Sequence, residues 1–209
     1  MLRLYSTPGA IVFDFGGVLV DWNPRHLYRK LFHGDDAAME NFLTEVGFNE
    51  WNLQQDLGRD FATAVGELAA RFPRHERLIR AYDERWEESI AGPIQASVDL
   101  LAPLKRAGHT LHGLSNWSSE KFSLARANYR FFDLFETILI SGEVKLAKPD
   151  PRIFAAFLQR IGRTAAECLF IDDSEPNIVA ARELGFNALL FKSPVQLRTE
   201  LQRRKLPGV

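Results

Sequence analysis

The stretch VFDFGGVLVDW, residues 12–22, decides how this chain is read. An apolar run over residues 10–13 stops at Asp14, and the Gly16-Gly17 pair follows at once. An unbroken apolar run reads as a strand buried on both faces, and paired glycines read as a turn where backbone passes close to another group. The same punctuation recurs further on. LHGLSNW sets Ser115-Asn116 after an apolar run, KLAKPDPRIF sets Lys148, and CLFIDDSEPNI sets Asp172-Asp173. Apolar runs separated by helical stretches predict parallel neighbouring strands, and in open α/β sheets ligands bind beyond the carboxyl ends of such strands. One crevice is therefore expected to collect a carboxylate, a hydroxyl, an ammonium and a carboxylate pair.

Between the first strand and the one expected over residues 109–114, the apolar spacing is helical. Phe61, Val65, Leu68, Ala69 and Phe72 recur at helix period behind Asp60 as an N-cap, and Pro73 stops the run. Leu27 with Leu31, and Phe42 with Val46, suggest two helices before it; Leu78, Tyr82 and Trp86 suggest one after. Residues 20–89 thus read as a compact helical insertion. From Gly92 onward strand and helix alternate, which predicts βαβ units. Asp150 caps a helix with Pro151 in its first turn; Phe154, Phe157, Leu158 and Ile161 face inward and Gly162 ends it. Residues 168–171 and 188–191 read as strands, Pro176 to Gly185 as the helix between them, and Ser193-Pro194 as the start of a last helix. Pro103 interrupts an otherwise helical stretch over residues 98–107 and either kinks it or marks its true start.

The chain has 209 residues, 46% hydrophobic and 25% charged, enough to bury a sizeable core with a large insertion. A net charge of −1 with both signs interspersed gives no footprint for nucleic acid or an anionic membrane surface, and neither partner is expected. The single cysteine, Cys168, lies in an apolar run and reads as a buried hydrophobe in a reducing compartment. Only a short segment precedes the first strand, without a hydrophobic leader, and no run is long enough to span a bilayer. A cytoplasmic protein is the expectation.

Taken in this order, the segments around Asp14, Ser115-Asn116, Lys148 and Asp172-Asp173 resemble the haloacid dehalogenase (HAD) superfamily of aspartate-nucleophile hydrolases, across essentially the whole chain. The resemblance implies a doubly wound parallel α/β core, residues 1–19 and 90–209, with an inserted helical cap, residues 20–89, that closes over the site and selects the substrate. It implies Asp14 as the nucleophile that takes up a phosphoryl group, Lys148 as its neighbouring cation, and Ser115 and Asn116 as hydrogen-bond donors to the phosphoryl oxygens. Magnesium (Mg2+) would be held by Asp14, the Gly16 carbonyl and Asp173, with Asp172 ligating directly or through water. The implied substrate is a small phosphorylated metabolite. Lys145 is a rival for the ammonium role, but Lys148-Pro149 before a proline-started helix is the family's form.

The chemistry is self-consistent. A carboxylate attacks a phosphate dianion only if cations keep it ionised and neutralise its target. Asp14, Asp172 and Asp173 are offset by Lys148 and a divalent ion, so the site is near neutral before substrate arrives. One position departs from the pattern: phosphatases of the superfamily usually carry a second Asp where this chain has Gly16. The backbone carbonyl survives that change, but the acid that protonates the leaving oxygen does not. Help of that kind is typically worth roughly 10²- to 10⁴-fold. VDWNPR and the glycine together resemble the subgroup of sugar-1-phosphate phosphatases and epoxide hydrolase amino-terminal domains. Asp21 or His26 is a possible substitute donor, and Trp51, Gln55 and Arg59 form either a specificity face or cap packing. Two other readings stand beside the phosphatase: a metal-independent 2-haloacid dehalogenase, whose halide needs no proton, and a non-catalytic binding or regulatory module.

Overall fold

The structure is a computed structural model that describes residues 9–209. Residues 1–8, which open the first core segment and carry the reading of a missing leader, lie outside the described residues. The chain runs β1 (Ala10–Phe13), β2 (Val20–Trp22), α1 (Pro24–Leu31), α2 (Asp36–Glu45), α3 (Phe48–Asp56), α4 (Phe61–Arg71) and α5 (Glu76–Glu84). It continues through β3 (Ile90–Pro93), α6 (Gln95–Val98), α7 (Leu101–Arg106), β4 (Thr110–Ser115), α8 (Ser119–Asn128), β5 (Thr137–Ile140) and α9 (Ser141–Val144). The last elements are α10 (Pro151–Ile161), β6 (Cys168–Asp172), α11 (Glu175–Glu183), β7 (Asn187–Leu190) and α12 (Pro194–Arg203).

Five parallel strands form one sheet in the order β5-β4-β1-β6-β7. The central strand β1 pairs with β4 on one side and β6 on the other, Phe13 facing both Gly113 and Ile171. Side chains alternate between faces with the period of two that a strand imposes. Ile11, Phe13, Leu111 and Ile171 join one apolar cluster with residues of α7, α8, α12 and the inserted helices. Ala10, Val12, Leu114 and Phe170 join a second with α10 and α11. Helices therefore cover both faces, the doubly wound α/β arrangement expected. Burying each of the larger of these side chains stabilises the fold by about 1.5–3 kcal/mol. The packing leaves no room at Gly113, where an added Cβ would sit 2.2 Å from the Phe15 ring.

Local signals account for most element ends. Asp60 accepts from Thr63 N–H at 2.7 Å, Asp150 from Arg152 N–H at 2.9 Å and Ser193 from Gln196 N–H at 3.2 Å, each capping a helix. Gly162 closes α10 in the left-handed conformation, φ 64°. Pro103 falls in the first turn of α7, and the break from α6 precedes it, so it marks a true start. Among the features not anticipated are α3, the edge strand β5 with α9 after it, and an antiparallel ribbon of β2 and β3 through which the chain both enters and leaves the inserted helices. Among the described residues no helix is long and apolar enough to cross a membrane.

Candidate active site

Asp14 follows β1 immediately, and Ser115 and Asp172 are the last residues of β4 and β6. Because these three strands are neighbours, their carboxyl ends bring the side chains together at the point where the sheet order switches direction. Asp14 Oδ1 accepts from the Phe15 N–H at 2.7 Å and from Ser115 Oγ at 2.6 Å, while its Oδ2 lies 3.0 Å from Lys148 Nζ. Lys148 Nζ also donates to Asp172 Oδ2 at 2.6 Å and to the Leu114 carbonyl at 2.9 Å, so its three protons are all directed. Asp172 is completed by Ser174 N–H and the Asn177 amide, 2.8 and 3.0 Å from Oδ1. Asn177 is a positioning contact that the sequence did not flag.

Asp14, Asp172 and Asp173 each offer an oxygen within 4.8 Å of the others. Burial pushes Asp14 up to about 7; the Lys148 charge opposes this, and Asp172 and Asp173 add to it. Asp173 is raised by burial and then by Asp172. For Lys148 burial works against the ammonium, but Asp14 and Asp172 outweigh it and the group is raised, remaining charged. Three carboxylates around one ammonium are short of positive charge, and hard oxygen donors at this spacing fit a magnesium-sized cation. Asp173 is the exposed member, and Gly17 passes so close to it that an added Cβ would sit 2.2 Å from its Oδ2. Gly17 is also at φ 72°, so that glycine serves both the turn and the close approach.

Asn116 also makes structural contacts. Its side chain accepts from Lys148 N–H at 2.8 Å and donates one amide proton to the Lys148 carbonyl at 2.9 Å, so it ties two loops together and keeps its second amide proton for phosphoryl contact. Lys145 is exposed, in a left-handed conformation at the end of α9, and has no place among the carboxylates. Asp21 and His26 pair with one another at 3.0 Å. Trp51 and Gln55 are buried inside the insertion, Gln55 donating to the Trp51 carbonyl at 2.6 Å, and Arg59 pairs with Glu67. They are packing and surface. The α3 residues that line the cavity containing Gly16 and Asn116 are Asn52 and Asp56, one position round the helix from Trp51 and Gln55.

The profile of haloacid dehalogenase-like hydrolases matches residues 8–185. A sesquiterpene phosphatase, astK of Aspergillus oryzae, is 28% identical over 208 residues, covering 97% of this chain and 98% of its own. (S)-2-haloacid dehalogenase 1 of a Pseudomonas species is 28% identical over 193 residues, 86% of this chain and 82% of its own. Two other curated relatives are matched over only 35% and 39% of their own length. An HAD family enzyme of Bacteroides thetaiotaomicron, solved with magnesium and inorganic phosphate, superposes with a TM-score of 0.67 at 29% identity, covering 88% of this chain and 94% of that one.

Proposed function

This chain belongs to the haloacid dehalogenase-like hydrolase family, and from that premise we propose that it is a magnesium-dependent phosphatase of small phosphorylated metabolites, working through an aspartyl-phosphate on Asp14. One observation carries the reading: the Asp14 carboxylate is steered by Phe15 N–H, Ser115 and Lys148, and shares its crevice with Asp172 and Asp173 within 4.8 Å. A metal-free site for a carboxylate substrate gains nothing from two further negative charges, whereas a phosphate site with a divalent cation needs them. Relatives named for phosphate removal, and a neighbour holding magnesium with phosphate, support the same choice.

Asp14, Asp173 and the Gly16 carbonyl would hold the cation, with Asp172 already occupied by Lys148 and Asn177. When bound, the ion would neutralise phosphoryl oxygens and keep Asp14 ionised. Ser115 donates to Asp14 Oδ1, which leaves Oδ2 to attack phosphorus in line. Lys148 balances the charge of the nucleophile. The backbone N–H of Asn116 is offered to a phosphoryl oxygen, where charge accumulates in transfer.

The test is a panel of phosphomonoesters assayed with magnesium and with EDTA, alongside chloroacetate. Phosphate release that requires magnesium and disappears in Asp14→Asn is expected. Halide release in EDTA without phosphate release would establish the dehalogenase reading, and neither release the binding-module reading.

A further inference from the structure

A cavity of about 50 Å³ opens beside the turn that follows Asp14, lined on the core side by Gly16 and Asn116. Its walls include Trp22, Phe61, Tyr82, Trp86 and Trp117, and among the described residues no Lys, Arg or His side chain lines it. Lys121, whose ammonium lies 4.5 Å from the centre of the Phe61 ring, is held by Asp83. A second phosphate or a carboxylate on the substrate would find no counter-charge in this space. Among the described residues the one carboxyl group on the wall is that of Asp56, at the last position of α3. Its Oδ2 accepts from the Asn52 amide at 3.2 Å and its carboxyl accepts the Ser118 N–H, both neutral donors. Its backbone is fastened to the core, the Asp56 carbonyl accepting from the buried Ser141 Oγ at 2.5 Å.

We propose that Asp56 protonates the departing oxygen of an uncharged, largely apolar alcohol that occupies this aromatic cavity, taking the part that Gly16 cannot play. The proposal rests on the phosphatase reading above. Burial pushes the Asp56 carboxyl up to about 7, with the Ser118 N–H opposing, so a proton is available near neutral pH. The carbonyl end of α3 adds a negative field that also disfavours the anion. In the first step Asp14 Oδ2 bonds to phosphorus, the ester P–O bond breaks, and the Asp56 proton moves to the leaving oxygen, giving the alcohol, an aspartyl-phosphate and an Asp56 carboxylate. In the second, that carboxylate takes a proton from water as the oxygen of that water attacks phosphorus. Hydrogen phosphate leaves, and ionised Asp14 and protonated Asp56 are restored.

The experiment measures kcat/KM, which reports formation of the aspartyl-phosphate, for p-nitrophenyl, phenyl and 3-methylbutyl phosphate and for a hexose bisphosphate. Wild type is expected to show a shallow dependence on leaving-group pKa and to prefer the alkyl monoester over the bisphosphate. In Asp56→Asn the loss should be under about tenfold for p-nitrophenyl phosphate and roughly 10²- to 10⁴-fold for the alkyl ester. An equal loss on every ester would overturn the proton-donor role, as a purely structural residue gives no such slope. Should the variant fail to fold, wild type alone decides: a steep fall from aryl to alkyl esters, or a preference for the bisphosphate, overturns the proposal. Wild type inactive on all four esters overturns the phosphatase reading along with it, whereas a steep slope or uniform loss with measurable turnover leaves that reading standing.

Discussion

Gly16 and Gly17 are adjacent, yet the space around them differs completely. A Cβ on Gly16 meets nothing within 4 Å, whereas one on Gly17 would overlap the Asp173 carboxylate, at a backbone φ of 72°. Gly16→Ala should therefore change stability by less than about 0.5 kcal/mol. Gly17→Ala should cost roughly 1–2 kcal/mol from backbone conformation alone and raise the magnesium concentration for half-maximal rate by displacing Asp173. Chemical denaturation and metal titration of the pair test this, and equal behaviour would refute it. Asp56 gives a second prediction, in pH. Its folded pKa, pushed up to about 7, lies above that of an unfolded carboxyl, about 3.9. Its contribution to stability is thus complete below about pH 4 and is lost as pH rises through 7. Asn at this position cannot ionise, so the melting temperature of Asp56→Asn relative to wild type should climb between pH 4 and 7 and level off above. A constant difference would mean that Asp56 is ionised throughout. Asp14, Lys148 and the aspartate pair could be read from the sequence because each punctuates an apolar run. Asp56 could not, being one acid near a glycine in a polar segment. Its only trace was an acid at a helix carboxyl end, where the backbone dipole favours bases, and such local rule-breaking marks functional positions.

At the scale of elements, the inserted helices are held over the site by a few contacts from α8 and its neighbours. Lys121 of α8 donates to both the side chain and, at 3.1 Å, the carbonyl of Asp83 in α5, and Glu120 accepts the Phe61 N–H at 3.2 Å. Trp86 packs against Trp117 with ring centres 5.9 Å apart. Lys121→Met removes the ion pair while keeping the apolar stem, so α5 should exchange its amides faster and KM should rise with kcat changed less. Unchanged exchange over residues 76–84 would show that the pair does not restrain the insertion. The central strands were legible because β1 and β6 are buried on both faces and carry no polar alternation to confuse them. The ribbon was not: β2 and β3 are three and four residues long, and Gly92-Pro93 argues against a strand. Helix α3 was missed because Gly47, at φ 63°, begins it without any side-chain cap.

At the scale of the whole molecule, insertion and core share one apolar cluster, in which Tyr28, Phe48 and Tyr82 from the inserted helices belong with Phe15, Leu101 and Phe122 from the core. Calorimetry should accordingly show one cooperative transition, and two resolved ones would contradict a common core. The two-stranded ribbon bears on how fast that core is reached. Ala10 of β1 must find Thr110 of β4, 100 positions along the chain. Val20 opposite Pro93 clips the insertion out of that search, leaving a tether of roughly a quarter of the length. Two halvings of a loop lower its closure entropy by about 1.2 kcal/mol. The ribbon thus acts as a shortcut in time as well as a junction in space. Substitutions that weaken it, such as Gly92→Val at its left-handed φ of 136°, should slow folding more than they speed unfolding, and stopped-flow refolding rates read that ratio directly.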